Sequence, residues 1–172
     1  MKTNICPAII AVIFLLFAQS CTNNSNASID SSGASFINMV LGGGNAGIKA
    51  SELARSHSQN PRVKNLATMM IADQSKINSR LDSIIKNNGA LKVDSTISAP
   101  NHQLLNDLTK KTGTDFDKSY VQMTVKQQEK NLMLFINATQ DKNSDLQNLA
   151  RQSLKIIHLQ LDSARAIELS LK

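Results

Sequence analysis

The sequence predicts an all-α protein, a four-helix bundle with a long connection between the second and third long helices. Aromatic residues make up only 3% of the chain and Trp is absent, a composition poor in strand formers. Apolar residues recur at intervals of three and four over long stretches, which places them on one face of a helix. Helix start and stop signals bracket those stretches, and 172 residues are one domain's worth of chain.

Residues 1–20 read as a lipoprotein signal peptide. Lys2 supplies the positive end, and Ile5 to Ala18 form an apolar run of 14 residues, short of the roughly 20 that a spanning helix needs. The segment Phe17-Ala18-Gln19-Ser20-Cys21 resembles a bacterial lipobox, so Cys21 is the expected lipidation site. Removing the first 20 of 172 residues leaves 152 and takes Cys6 away, so the mature chain has no second cysteine for an internal disulfide. Its stability must come from packing, which a chain of this size can supply.

The expected location is the cell envelope, lipid-anchored, at the outer membrane facing the periplasm. The expected partners are the membrane, through the N-terminal lipid anchor, and an envelope protein. Nucleic acid is not among them. Loss of Lys2 lowers the net charge from +6 to +5, and the basic residues are scattered, with only Lys110 and Lys111 adjacent. Phe36, Phe116, Tyr120 and Phe135 are too few and too regularly spaced along helical stripes to stack bases.

Residues 21–34 comprise the lipidated cysteine and a flexible tether of Asn, Ser, Ala and Asp, and the bundle domain occupies 35–172. In the first helix Phe36, Val40, Gly43, Gly47, Ala50 and Ala54 share a face. Gly42-Gly43-Gly44 either breaks this helix or admits a close neighbour, because each Gly costs about 0.8–1.0 kcal/mol relative to Ala in a helix interior. The triplet lacks the Lys-Ser/Thr of a phosphate-binding loop.

Asn60 caps a second helix whose first residue is Pro61. Its inner face reads Val63, Leu66, Ala67, Met70, Gln74, Ile77, Leu81, Ile84 and Ile85, and Asn88-Gly89 stops it after Asn87. A connection over Ala90 to Asn101 leads to a short helix carrying Leu104, Leu105 and Leu108, ending at Gly113. Thr114 is the expected N-cap of the third long helix, with Phe116, Tyr120, Met123, Gln127, Asn131, Leu134 and Ala138 inward. Ser144 with Gln147 forms a capping box for the last helix, which carries Leu146, Leu149, Ser153, Leu154, Ile157, Leu161, Ala164, Ile167 and Leu171 and runs to the C-terminus. The long connection favours a crossover over plain up-and-down topology, as in ferritin-like bundles.

Four motifs, taken in order, resemble the ferritin-like domain of unknown function 4142 family of bacterial exported proteins. They are Ser51-Glu52-Leu53-Ala54, the run Leu66 to Asp73, the run Phe116 to Val121, and the run Leu154 to Leu159 that contains His158. The resemblance implies a ferritin-like fold from Phe36 onward. It also implies polar inward positions that this chain has changed: Asp73-Gln74 and Lys126-Gln127 stand where typical members carry Asp-His pairs, and Gly47-Ile48-Lys49 stands where an acidic residue is usual. Asp73 and His158 keep the family's identity, so a site formed by those positions in relatives is expected to be lost here.

Ligand counting leads to the same expectation. A di-iron carboxylate site draws on four Glu and two His arranged as Glu-x-x-His on two helices. Here the glutamates are Glu52, Glu129 and Glu168, and no His follows any of them at that spacing. Asp73 with His158 is too small a set for a stable mononuclear centre. No metal, cofactor or catalytic residue is expected.

Asp73, Gln74, Gln127 and His158 are instead expected as polar core positions, with Gln74 and Gln127 bonded across helices and His158 a candidate third member. His57 is expected to serve the helix-one C-terminus and His102 to be solvated. Met39, Met69, Met70, Met123 and Met133 are expected as core filler, not copper ligands. With Cys21 lipidated and no Gly-x-Ser-x-Gly in the chain, no nucleophile stands out. The expected function is a non-catalytic binding or structural envelope protein. The alternative is a metal-binding ferritin-like protein or oxidoreductase.

Overall fold

A computed structural model describes residues 27–89 and 91–171. The export signal, Cys21 and residues 22–26 of the expected tether lie outside the described residues. Five helices follow in order: α1 (Ser31–His57), α2 (Pro61–Asn87), α3 (Ala99–Thr109), α4 (Gly113–Ala138) and α5 (Ser144–Ser170). There is no strand among the described residues, so the chain is all-α as its periodicity predicts. No helix among them is long and apolar enough to cross a membrane.

α2 has the bounds its signals predict, with Asn60 Oδ1 accepting from Arg62 N at 2.9 Å. The other starts differ from expectation. α1 begins at Ser31, inside the stretch read as tether, because Asp30 Oδ1 accepts from Ser32 N and Gly33 N at 2.9 and 3.0 Å. α3 ends at Thr109, before Gly113. Gly113 takes φ +54° and turns the chain into α4, so Thr112 and not Thr114 is the N-cap, without a side-chain bond. α5 is capped by the fully buried Asn143, whose Oδ1 accepts from Asp145 N and Leu146 N at 3.1 Å each, and not by Ser144.

The four long helices pack in a ring, α1 on α2, α2 on α5, α5 on α4 and α4 on α1, with α3 lying chiefly against α1. Phe36 meets Phe135 edge to face at 5.1 Å, and Ser51 shares a 3.0 Å hydrogen bond with Tyr120, so α4 runs antiparallel to α1. Short links make α2 antiparallel to α1 and α5 antiparallel to α4, which leaves α2 parallel to α4. The connection after α2 must therefore return the length of the molecule. It climbs along α1, where Asn38 Oδ1 accepts from Asp94 N at 2.9 Å and Asn45 Nδ2 donates to Ser95 O at 3.0 Å, and α3 completes the return.

The apolar core is split into two clusters. One joins Ala46, Ala50, Leu66, Met70, Leu108, Phe116, Tyr120 and Leu161, and the other joins Phe36, Ile37, Leu81, Phe135, Leu149 and Ile157. Each large side chain buried this way contributes about 1.5–3 kcal/mol. Between the clusters, halfway along the helices, lies a polar layer.

Candidate functional site

The layer consists mainly of amides. On α4, Gln127 Nε2 donates to Asn131 Oδ1 at 2.9 Å, and Asn131 Nδ2 donates to Gln128 Oε1 at 2.8 Å. Gln128 Nε2 crosses to α5 and donates to Gln160 Oε1 at 2.6 Å, with Met70 Sδ at 3.4 Å as a second acceptor. Gln160 Nε2 crosses to α2 and donates to Asp73 Oδ2 at 3.1 Å, and Lys76 lies 3.7 Å from the other carboxylate oxygen. Each amide passes a donor to the next and the chain ends on a carboxylate, the one member that accepts without donating. A second, shorter chain runs from Gln74 Nε2 to Asn78 Oδ1 at 2.9 Å and from Asn78 Nδ2 to Asn45 Oδ1 at 3.2 Å.

Gln74 and Gln127 therefore do not bond each other; each donates to an amide one turn along its own helix. His158 takes no part, because it lies on the exposed side of α5. Asp73 does join the layer, through Gln160. The central members, Gln128 and Gln160, at 2% and 4% exposure, were not among the expected positions. The signal for them is present: Val121, Val125 and Gln128 continue one stripe of α4, and Ile157, Gln160, Leu161 and Ala164 one stripe of α5.

Close neighbours, one of them in the layer, explain Gly42 and Gly44 of the triplet. α1 runs unbroken through it. A Cβ at Gly44 would fall on the Gln74 amide, 2.6 Å from Cδ, and a Cβ at Gly42 would lie 2.7 Å from Thr96 O in the returning connection. The close neighbours are thus a side-chain amide and a loop carbonyl.

Around the layer, Tyr120 is fully buried and Thr124 Oγ1 donates to its carbonyl at 2.9 Å. Burial pushes the Tyr120 phenol above the ordinary tyrosine pKa, while its bonds to Ser51 and Thr124 pull the other way. Asp117 Oδ1 is the one buried side-chain oxygen without a hydrogen-bond partner among the described residues. His57 Nδ1 lies 3.1 Å from Leu53 O in the last turn of α1, as its helix-terminal reading predicts, and its ring stacks on Phe116 at 5.6 Å. His102 is exposed. Met70 is buried, and Met69 and Met123 pack on the first cluster, but Met39 and Met133 are 52% and 60% exposed and do not fill the core.

Amides do not ionise and are weak ligands for transition metals. No group of three or more His, Cys, Asp or Glu is placed to hold a metal among the described residues. What this layer does chemically is satisfy its own buried donors and fix the register of α2, α4 and α5 against one another.

Helices returning through a long connection, with a polar layer at mid-height, define the class: an all-α domain of four long helices and one short one. The chain belongs to the family described as Domain of unknown function (DUF4142), whose family model matches residues 18–167. Among solved structures it is similar to a DUF305 fragment from Deinococcus radiodurans, with a TM-score of 0.74 and 11% identity over 83% of this chain and 98% of that one. At that identity the likeness shows the fold alone. No match was found among curated proteins.

Proposed function

We propose that this chain is a ferritin-like four-helix bundle, anchored by a lipid on Cys21, that serves the cell envelope as a non-catalytic binding or structural protein at the outer membrane, facing the periplasm. The observation that carries the non-catalytic part is the 2.6 Å bond between Gln128 and Gln160. Bundles of this kind build metal and cofactor sites from inward side chains at mid-height. Here those positions hold amides and the Asp73 carboxylate, which pair with one another, and no group of three or more His, Cys, Asp or Glu converges among the described residues. The anchor rests on sequence: Lys2, the apolar run from Ile5 to Ala18, and the lipobox-like residues before Cys21. A diacylated cysteine holds a protein at a membrane more firmly than a single chain does.

Elemental analysis after aerobic loading of the full chain with Fe(II), Cu(I) and Zn(II) tests the first part. A folded, metal-free chain after gel filtration is the expected result, and stoichiometric retained metal would instead support the metal-binding or oxidoreductase alternative. For the anchor, labelled palmitate should enter the wild-type chain in bacterial cells and should not enter Cys21→Ser. Labelling that survives the substitution would overturn it.

A further inference from the structure

α3 leans on α1 and leaves a cleft of about 320 Å³ between itself and α4. Leu104, Leu108 and Met123 give it an apolar floor, and Leu104 is 50% exposed there. Its rim carries Lys111, Lys126 and Lys130. A second cleft of about 710 Å³, between α1, the returning connection and α4, continues from it through Asn101, Gln127 and Lys130.

The charges in the first cleft do not cancel. Asp107 is the acid that lines it, and its carboxylate already accepts from Gln103 Nε2 at 3.0 Å and Lys110 Nζ at 3.2 Å. Glu129, on the same helix as Lys126 and Lys130, pairs with Arg165 at 2.8 Å. Lys111 Nζ donates to Ser119 Oγ at 2.6 Å, a neutral partner. Lys126 and Lys130 form no ion pair among the described residues. They stand one turn apart on α4, where like charges repel. An anion between them relieves that repulsion, and the apolar floor of the same cleft, exposed at Leu104, gains from a ligand with an apolar body. The cleft volume lies at the small end of the range for small-molecule sites, about 300–1,000 Å³.

We propose that the α3–α4 cleft binds a small amphiphilic anion, with its carboxylate or phosphate head between Lys126 and Lys130 and its short alkyl or acyl body on Leu104, Leu108 and Met123. This deepens the binding role proposed above and rests on it.

Methionine-methyl NMR of the full chain in a neutral maltoside detergent tests the assignment, because Met123 lines the cleft while Met133 is exposed and lines none of the clefts described here. Hexanoate and hexyl phosphate are the probes, and which of them binds more tightly distinguishes a carboxylate ligand from a phosphate ester. The Met123 signal should shift saturably with at least one of them while Met133 stays still. In Lys126→Gln/Lys130→Gln affinity should fall by about tenfold or more, and added salt should weaken binding to the wild type.

The proposal is overturned by an unmoved Met123, by Met123 and Met133 shifting together, or by saturable binding that salt leaves unchanged. It is equally overturned if hexanol or hexylammonium binds as well as the anions, or if inorganic phosphate matches hexyl phosphate. Failure here together with a metal-free chain that takes palmitate at Cys21 would remove the ligand and leave the envelope assignment standing.

Discussion

At the scale of single residues, the glycines of α1 separate into ones the packing requires and ones it does not. A Cβ at Gly47 would meet nothing within 4 Å, so Gly47→Ala should gain most of the helix-propensity difference, about 0.5–1 kcal/mol, read as a higher denaturant midpoint. Gly42→Ala gains the same propensity but sets its methyl 2.7 Å from the Thr96 carbonyl. That carbonyl cannot retreat freely, because the two residues before it, Asp94 and Ser95, are tied to α1 through Asn38 and Asn45. Overpacking of this sort costs about 1–3 kcal/mol, so Gly42→Ala should show none of the gain expected at Gly47 and a net loss of up to about 2.5 kcal/mol in the same measurement. Tyr120 offers a second test at this scale. It is the chain's single tyrosine, so phenolate absorbance reports on it alone. Burial raises its pKa above the ordinary 10.0, so the stability it contributes is complete below that value and is lost as pH rises from there through the folded-state pKa, while the unfolded chain ionises first. Phenolate should therefore appear at a higher pH in the native chain than in the same chain unfolded in urea. Tyr120→Phe should remove that part of the alkaline loss, at a cost of about 1 kcal/mol near neutral pH from leaving buried Ser51 without its bond.

At the scale of elements, Asn143 joins three parts of the chain. Its Oδ1 caps α5, while its Nδ2 donates to Ala27 O at 2.7 Å, just before α1, and to Asn88 Oδ1 at 3.2 Å, at the end of α2. Asn143→Ala removes a cap worth about 1 kcal/mol and leaves the buried Leu146 N–H and the half-buried Asn88 side chain short of a partner, so unfolding free energy should fall by about 1–3 kcal/mol. Amide exchange in the first turn of α1 should quicken along with it. The same residue marks where sequence reading stops. Both Asn143 and Ser144 are good caps by type, and Ser144 has the local capping-box partner Gln147; the choice falls to Asn143 because contacts with Ala27 and Asn88, 116 and 55 residues away, bury it. The start of α1 has a local signal in the Asp30 cap, but no apolar stripe follows it at once. Residues 31–35 carry no large apolar side chain, and the close approach of Gly33 to Leu146 of α5, which joins the cap in holding the first turn, cannot be read from them. α2 was legible throughout, since Asn60-Pro61 and Asn88-Gly89 are local signals that need no distant partner.

At the scale of the molecule, the polar layer separates two apolar clusters that each draw on α1, α2, α4 and α5. Its existence was legible from polar residues on apolar stripes, but its membership turned on helix phase. α4 faces α5 on one side and α1 with α3 on the other, so its buried arc is wide. A stripe through Met123 and Gln127 follows the edge of that arc beside the cleft, whereas the next residue, about 100° further round, points into the core as Gln128. Because Gln128 and Gln160 complete each other, their energetics should be strongly non-additive. Gln160→Leu leaves the Gln128 amide buried with only Met70 Sδ to accept from it and strips Asp73 of a donor, so it should cost about 1–3 kcal/mol. Gln128→Leu/Gln160→Leu removes both buried amides together and joins the clusters with apolar volume, while Asp73, at 18% side-chain exposure, keeps Lys76 and some solvent. Replacing both partners of a buried hydrogen bond is often close to neutral. The double variant should therefore recover at least half of the loss, with a coupling energy of about 1–2 kcal/mol in a denaturant double-mutant cycle. Simple addition of the two single losses would mean that the amides act independently, and that the 2.6 Å bond between them does not hold α4 and α5 in register.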